Sequence, residues 1–128
     1  MRIYVYSKCS TCKEALRFLN DRGIKADIRE IVETPPTSDE LNIMLQFQNG
    51  HISKLFNTSG NLYREMQLAQ KLKDMSIQKA LELLTTHGML VKRPFLLAKN
   101  FGLLGFKEKE WSAKFVANPY NFFPKYFF

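Results

Sequence analysis

Cysteine is scarce in this chain: of 128 residues only Cys9 and Cys12 carry a thiol. That scarcity excludes a disulfide-stapled secreted scaffold, and a chain of this length can bury a core without staples. Histidine is as sparse, with His51 and His87 distant from the cysteines and from each other. Two thiols without a second CxxC cannot complete a four-ligand zinc site, so no metal is expected. No apolar run approaches the roughly eighteen residues of a membrane span, and Met1-Arg2-Ile3-Tyr4 enters a strand pattern with no apolar leader. These absences lead us to expect a cytoplasmic protein with no membrane role. Internal repeats, low-complexity tracts and domain-scale linkers are also missing, so 1–128 reads as a single domain. Finally, there is no dense Lys/Arg block despite a formal charge of +7. Residues 1–64 carry nine basic against seven acidic side chains, and 65–128 carry ten against five. Cations scattered singly in this way read as a solvated surface, and no direct nucleic-acid binding is expected.

What is present is organised around Tyr4-Val5-Tyr6-Ser7-Lys8-Cys9-Ser10-Thr11-Cys12-Lys13. Residues 2–6 alternate and are β-branched or aromatic at Ile3, Tyr4, Val5 and Tyr6, which suits a buried strand. From Ser10 to Arg22 the apolar residues Cys12, Ala15, Leu16 and Leu19 fall at helical spacing, and Gly23 is the expected C-terminal stop. Both thiols therefore lie at a strand-to-helix junction, where unpaired N–H groups and the positive end of the helix favour a thiolate; Lys8 and Lys13 add cations. The helix phase gives the two thiols unlike places. Cys12 faces the core, and Cys9, just before the first turn, is left toward solvent.

Ala26 to Ile31 alternates at period two and predicts a second strand, completing a βαβ unit with parallel pairing. Thr34-Pro35-Pro36-Thr37 interrupts regular structure, and Thr37 with Glu40 reads as a capping box opening a helix that carries Leu41, Met44, Leu45 and Phe47 and stops at Asn49-Gly50. Ile52 to Phe56 predicts a short helix or turn with Leu55 and Phe56 inward, and Leu68 to Leu72 further helical pieces. Ser76 caps a helix with Ile77, Ala80, Leu81 and Leu84 in phase, which His87-Gly88 is expected to end with a C′ glycine. Phe95 to Ala98 and Gly102 to Phe106 form the arms of a hairpin turning at Asn100, and Lys107 to Val116 a last amphipathic helix. The plan is α/β: βαβ, a helical insertion at about 34–88, then hairpin and helix. An aromatic tail over 119–128 is expected to pack on its own domain.

Beyond the thiols, Arg93-Pro94 breaks an apolar strand approach. It reads equally as a hairpin-entry proline beside a surface arginine, or as a cis bond that aims Arg93 at an anion. The loop Asn57 to Asn61, which includes Ser59 and Gly60, could present backbone N–H groups to an oxyanion with Arg64 nearby, although a polar loop is more often only a loop. The strand-CxxC-helix context makes redox chemistry the better reading of Cys9 and Cys12, with Cys9 attacking and Cys12 resolving a mixed disulfide.

Taken in order, the strand, CxxC and helix, then ETPPTSDEL (33–41), NTSG (57–60) with YRE (63–65), GMLVKRP (88–94), and GLLGF (102–106) with Trp111, resemble the arsenate-reductase-like family of the thioredoxin superfamily, the group of ArsC, Spx and YffB-type proteins. The resemblance runs from Arg2 to about Phe115. It implies a thioredoxin-like fold with an inserted helical subdomain and a cis proline beside the active site. Cys9 matches the catalytic cysteine, Arg93 the arginine before the proline, and Pro94 the proline itself. Lys8, Asn57, Ser59, Gly60, Arg64 and Pro94 are the expected substrate contacts. Glutathione-dependent arsenate reductases of this family use three arginines and have no cysteine at the place of Cys12; here Asn57 and Gly105 stand where two of those arginines align. The resemblance thus implies a thiol–disulfide oxidoreductase acting on a small oxyanion or a thiol/disulfide substrate, with no bound cofactor. An external reductant such as glutathione, glutaredoxin or thioredoxin would restore it. The alternative is a redox-sensing transcription regulator of the Spx type, whose CxxC is a switch and whose partner is the RNA polymerase α subunit.

Overall fold

The computed structural model describes residues 1–117, so the aromatic tail expected over 119–128 lies outside the described residues. Four strands, β1 (Arg2–Val5), β2 (Asp27–Glu30), β3 (Phe95–Leu97) and β4 (Gly102–Leu104), form one mixed sheet in the order β2-β1-β3-β4. The helices are α1 (Ser10–Asp21), α2 (Ser38–Phe47), α3 (Asn61–Glu65), α4 (Leu68–Lys71), α5 (Ile77–Thr86) and α6 (Glu108–Ala117). The chain divides into a sheet unit, comprising 1–30 and the segment from Arg93 onward, and a helical unit, Ile31–Lys92.

In the sheet unit β1 is central, parallel to β2 and antiparallel to β3, with Tyr4 opposite Phe95 and Val5 opposite Glu30. Its apolar run is explained by that position, since Ile3, Tyr4 and Val5 are all buried between layers. β2 is shorter than its alternation predicts and sits at the edge, where Ile28 is 56% exposed and Asp27 pairs with Arg2 and Arg29. Charges of this kind protect an open edge from pairing with another chain. α1 buries Cys12, Ala15, Phe18 and Leu19, and the expected Leu16 packs half-buried against the same core, so Phe18 widens the stripe. Phe18 is drawn inward by an aromatic cluster, meeting Trp111 edge-on at 5.8 Å and Phe106 at 5.6 Å. Phe115 and Phe101 extend the cluster from α6 to the β3–β4 hairpin. The buried Trp111 indole N–H donates to the Gly105 carbonyl at 3.1 Å, and the Gly105 N–H donates to the Pro94 carbonyl at 2.9 Å. Gly105 has φ of +72°, a backbone conformation that costs little only for glycine.

The helical unit is held by caps and aliphatic packing. Thr37 and Glu40 make the expected capping box, Glu40 N–H donating to Thr37 Oγ1 at 3.2 Å and Thr37 N–H to Glu40 Oε1 at 2.9 Å. Asn49 and Gly50 end α2 in left-handed conformations. Ser76 Oγ accepts the Lys79 N–H at 3.1 Å to start α5. Leu41 and Met44 of α2 and Ala80, Leu81 and Leu84 of α5 are buried where those helices pack, whereas Ile77 is exposed. Leu55 and Phe56 point inward as expected, and Phe56 bridges to Val91.

Gly88 departs from its expected role. It is not a left-handed stop but the first residue of a 3-10 turn, Gly88–Leu90, and His87 before it is extended. Glycine is required there because a Cβ would collide with the Ile31 carbonyl oxygen. The position is one of close backbone approach, which local sequence does not distinguish from a helix stop.

Candidate active site

The turn from β1 into α1 builds the site. Cys9 N–H donates to the Tyr6 carbonyl at 2.9 Å, closing the turn, and Cys9 occupies the N-cap of α1 in extended conformation with no side-chain cap bond. The first turn of α1 contains no Asp or Glu, so nothing acidic competes with the Cys9 sulfur for the helix N–H groups. Cys9 is half-buried and Cys12 is buried at 1% exposure, and both are free thiols. The unlike places expected from the helix phase are those the structure has.

Their acidities diverge for identifiable reasons. Partial burial raises the Cys9 pKa, but the backbone N–H of Cys12, a hydrogen bond from the Cys12 thiol, the backbone N–H of Thr11 and the charge of Arg93 together bring it below the ordinary thiol value. Burial pushes the Cys12 thiol up to about 12; the Tyr6 N–H, at 3.4 Å from its Sγ, works in the opposite direction. The hydrogen bond to Cys9 and the Cys9 charge also act upward and Arg93 downward, and the value of about 12 is their combined result with burial. One sulfur is therefore more acidic than an ordinary thiol and the other much less. The cation acting on both is Arg93, not Lys8 or Lys13, which are exposed.

Arg93 stands 5.0 Å from the Tyr6 ring centroid, and such a cation–π contact holds the guanidinium in place. The Arg93–Pro94 peptide bond is cis and Pro94 is buried. Cys9, Cys12, Arg93, Pro94 and Lys8 thus all belong to the sheet unit.

Asn57, Ser59, Gly60 and Arg64 belong to the helical unit. There the Asn57 N–H is donated to the Leu90 carbonyl at 2.7 Å and the Gly60 N–H to the Asn57 carbonyl at 3.1 Å. Two of the donors expected to face an oxyanion are therefore already spent within the unit. A Cβ at Gly60 would lie 2.6 Å from Asn57 Nδ2, so the Asn57 amide packs directly over this glycine. Arg64 is tied to its own loop, donating to the Ser59 carbonyl at 3.0 Å and to Asn61 Oδ1 at 2.6 Å. It lines a cleft of about 300 Å³ with Thr58, Tyr63, Gln67, Ala69 and Gln70.

Two residues that bear on the site were not legible as such in the sequence, Tyr6 and Glu30, and the structural part played by Gly105 was not legible either. The first reads as the end of a strand. Glu30 reaches the turn only through the β1–β2 register, and its carboxylate accepts the Ser7 N–H at 3.2 Å. Gly105 reads as a hairpin glycine, yet its two backbone bonds link Pro94 to Trp111. Its left-handed backbone accounts for glycine where the resemblance aligns an arginine. Among the described residues no cluster of His, Cys, Asp or Glu could hold a metal ion, and no helix is long and apolar enough to cross a membrane.

A family model for the ArsC family matches residues 4–114. An uncharacterized protein of Bacillus subtilis, YusI, is 39% identical over 87% of this chain and 94% of its own length. Global transcriptional regulator Spx 2 of Oceanobacillus iheyensis is 27% identical over 86% of this chain and 81% of its own. Among solved structures, an ArsC-family-related protein from Bacteroides fragilis superposes with a TM-score of 0.82 at 39% identity, covering 87% of this chain and 93% of that one. A candidate arsenate reductase from Streptococcus mutans gives 0.79 at 33% identity, covering 87% and 96%. These neighbours are thioredoxin-like α/β proteins, the architecture expected for this chain.

Proposed function

Because this chain belongs to the ArsC family, we propose that it is a thiol–disulfide oxidoreductase in which Cys9 attacks and Cys12 resolves. One observation carries this reading: two thiols one helical turn apart, one half-exposed with a lowered pKa and one buried with a pKa raised to about 12. In the first step the Cys9 thiolate attacks one sulfur of a substrate disulfide, a Cys9–substrate disulfide forms, and the other substrate sulfur leaves as a thiolate that takes up a proton. Cys9 then carries no charge, so two of the causes that hold the Cys12 proton, the hydrogen bond to the Cys9 thiolate and its charge, are gone. Cys12 gives up its proton and attacks Cys9 Sγ; the second substrate thiolate leaves, and a Cys9–Cys12 disulfide closes. The substrate gains two electrons and the protein loses two. An external thiol, glutathione or a glutaredoxin- or thioredoxin-type dithiol in a reducing cytoplasm, restores the pair.

Arg93 is the cation the sheet unit offers an anionic substrate, whether a small oxyanion or the carboxylate of a glutathionylated partner. Purified protein with a reducing system should turn over a mixed-disulfide substrate or arsenate, and Cys9→Ser should abolish it. No turnover across such a panel would refute the enzymatic reading. Cys12→Ser should then accumulate a stalled mixed disulfide in lysate, and identifying what is bound names the partner.

A second reading is supported by the likeness to Spx 2 of Oceanobacillus iheyensis. On it, the same Cys9–Cys12 disulfide changes affinity for the RNA polymerase α subunit rather than closing a catalytic cycle. Equal or absent binding of the isolated α subunit by the oxidised and reduced proteins would dispose of this alternative.

A further inference from the structure

Two consecutive backbone N–H groups in the turn before Cys9 point to different partners. The Tyr6 N–H donates to Cys12 Sγ at 3.4 Å, and the Ser7 N–H donates to the Glu30 carboxylate, 3.2 Å to Oε2 and 3.4 Å to Oε1. The turn is closed on its other side by Cys9 N–H bonding the Tyr6 carbonyl at 2.9 Å. Glu30 ends β2, pairs with Val5 in the β1–β2 register, and is half-buried. A carboxylate from another strand therefore fixes the peptide next to the one that carries the Cys12 hydrogen-bond donor.

We propose that Glu30 is a positioning residue for Cys12: by holding the Ser7 N–H it keeps the Tyr6 N–H aimed at the Cys12 sulfur, and so sets the rate at which Cys12 resolves the mixed disulfide. The proposal rests on the reading of Cys12 as the resolving thiol. The Tyr6 N–H is the backbone donor that favours the Cys12 thiolate against burial, so its aim bears on the second chemical step. Cys9 draws on the N–H groups of Cys12 and Thr11, on the Cys12 thiol and on Arg93; of these only the Cys12 thiol is touched by the Tyr6 N–H, so the first step is affected less than the second. The carboxylate acts here as a hydrogen-bond acceptor, a role that a neutral amide oxygen also fills.

The test uses 5,5′-dithiobis(2-nitrobenzoate) at one equivalent, followed by absorbance. Cys9 thiolate displaces the first nitrothiobenzoate and forms a mixed disulfide. Cys12 then loses its proton to solvent and displaces the second, so one reagent molecule takes two electrons and the Cys9–Cys12 disulfide closes. Wild-type protein should release two nitrothiobenzoates in two phases. Glu30→Ala should slow the second phase roughly three- to tenfold, the scale of one ordinary net hydrogen bond, and the first phase by less, with the pH midpoint of the second moved upward. Glu30→Gln, which keeps an acceptor, should restore the second phase. An unchanged second phase in Glu30→Ala overturns the proposal, as does equal slowing of both phases or a Glu30→Gln as slow as Glu30→Ala. A wild-type protein that releases only one nitrothiobenzoate overturns the resolving role of Cys12 itself, a result separable from all of these.

Discussion

The sheet unit and the helical unit draw their order from different sources. In the helical unit the helix boundaries and buried faces are set locally, by the Thr37–Glu40 capping box, the Ser76 cap, and helix-phased aliphatic residues on α2 and α5. In the sheet unit the decisive contacts join the two ends of the chain: Tyr4 lies opposite Phe95, Phe18 meets Trp111, and Val5 brings Glu30 alongside the turn that carries Cys9. Both cysteines and Arg93 belong to the second kind of structure. A rigid sheet with a central buried strand can hold two sulfurs in unlike environments, and short capped helices alone offer no such asymmetry.

The largest expected effect is the contrast between the two sulfurs. With the Cys12 thiol pushed up to about 12 and the Cys9 thiol brought below its ordinary value, the thiolate at neutral pH resides on Cys9 far more than on Cys12. Site-resolved iodoacetamide labelling of the wild type, read by mass spectrometry, should show nearly all label on Cys9. Because the Cys9 pKa is lowered, its rate should reach a plateau at lower pH than a free thiol does; comparable labelling of Cys12 at pH 7 would erase the asymmetry on which the comparison depends.

Trp111→Ala should cost about 3–5 kcal/mol, as large aromatic truncations in cores do, measured by urea unfolding. Since Trp111 is joined through Gly105 to Pro94, this variant should also alter the pH profile of Cys9 labelling, and an unaltered profile in the folded variant would cut that link. In the helical unit, Gly88→Ala sets a methyl against the Ile31 carbonyl and should destabilise by about 1–3 kcal/mol, the cost of overpacking. A neutral result would mean the backbone can give way there. The smallest effect belongs to Thr37→Ala, about 1 kcal/mol for loss of an N-cap, again by urea unfolding.

Much of this organisation was legible from residue spacing. The helix phase placed Cys12 inside and Cys9 at the helix start, and Thr37 with Glu40 announced α2, because caps and amphipathic stripes are written within a few residues. The hairpin over Phe95–Leu97 and Gly102–Leu104 was visible for the same reason. For the Asn57–Asn61 loop the sequence left an oxyanion cradle and a plain loop open, and two of its donors are engaged within the protein, Asn57 N–H with Leu90 and Gly60 N–H with Asn57. Backbone partners thirty residues away leave no mark in local composition. Lys8 and Lys13, neighbours of Cys9 in sequence, gave way to Arg93 as the cation that acts on the thiols, since strand pairing brings a residue more than eighty positions away beside them.

The sequence by itself determined that two thiols lie at a strand-to-helix junction, one inward and one outward, because helical periodicity is a local property. Only the tertiary structure decided which groups tune them. The Arg93 charge, the Tyr6 ring beneath it and the Glu30 carboxylate behind the Tyr6–Cys9 turn reach the thiols through the pairing of β1 with β3 and β2. Sheet register is a nonlocal choice, made by burying β1 on both faces, and no short stretch of residues encodes it.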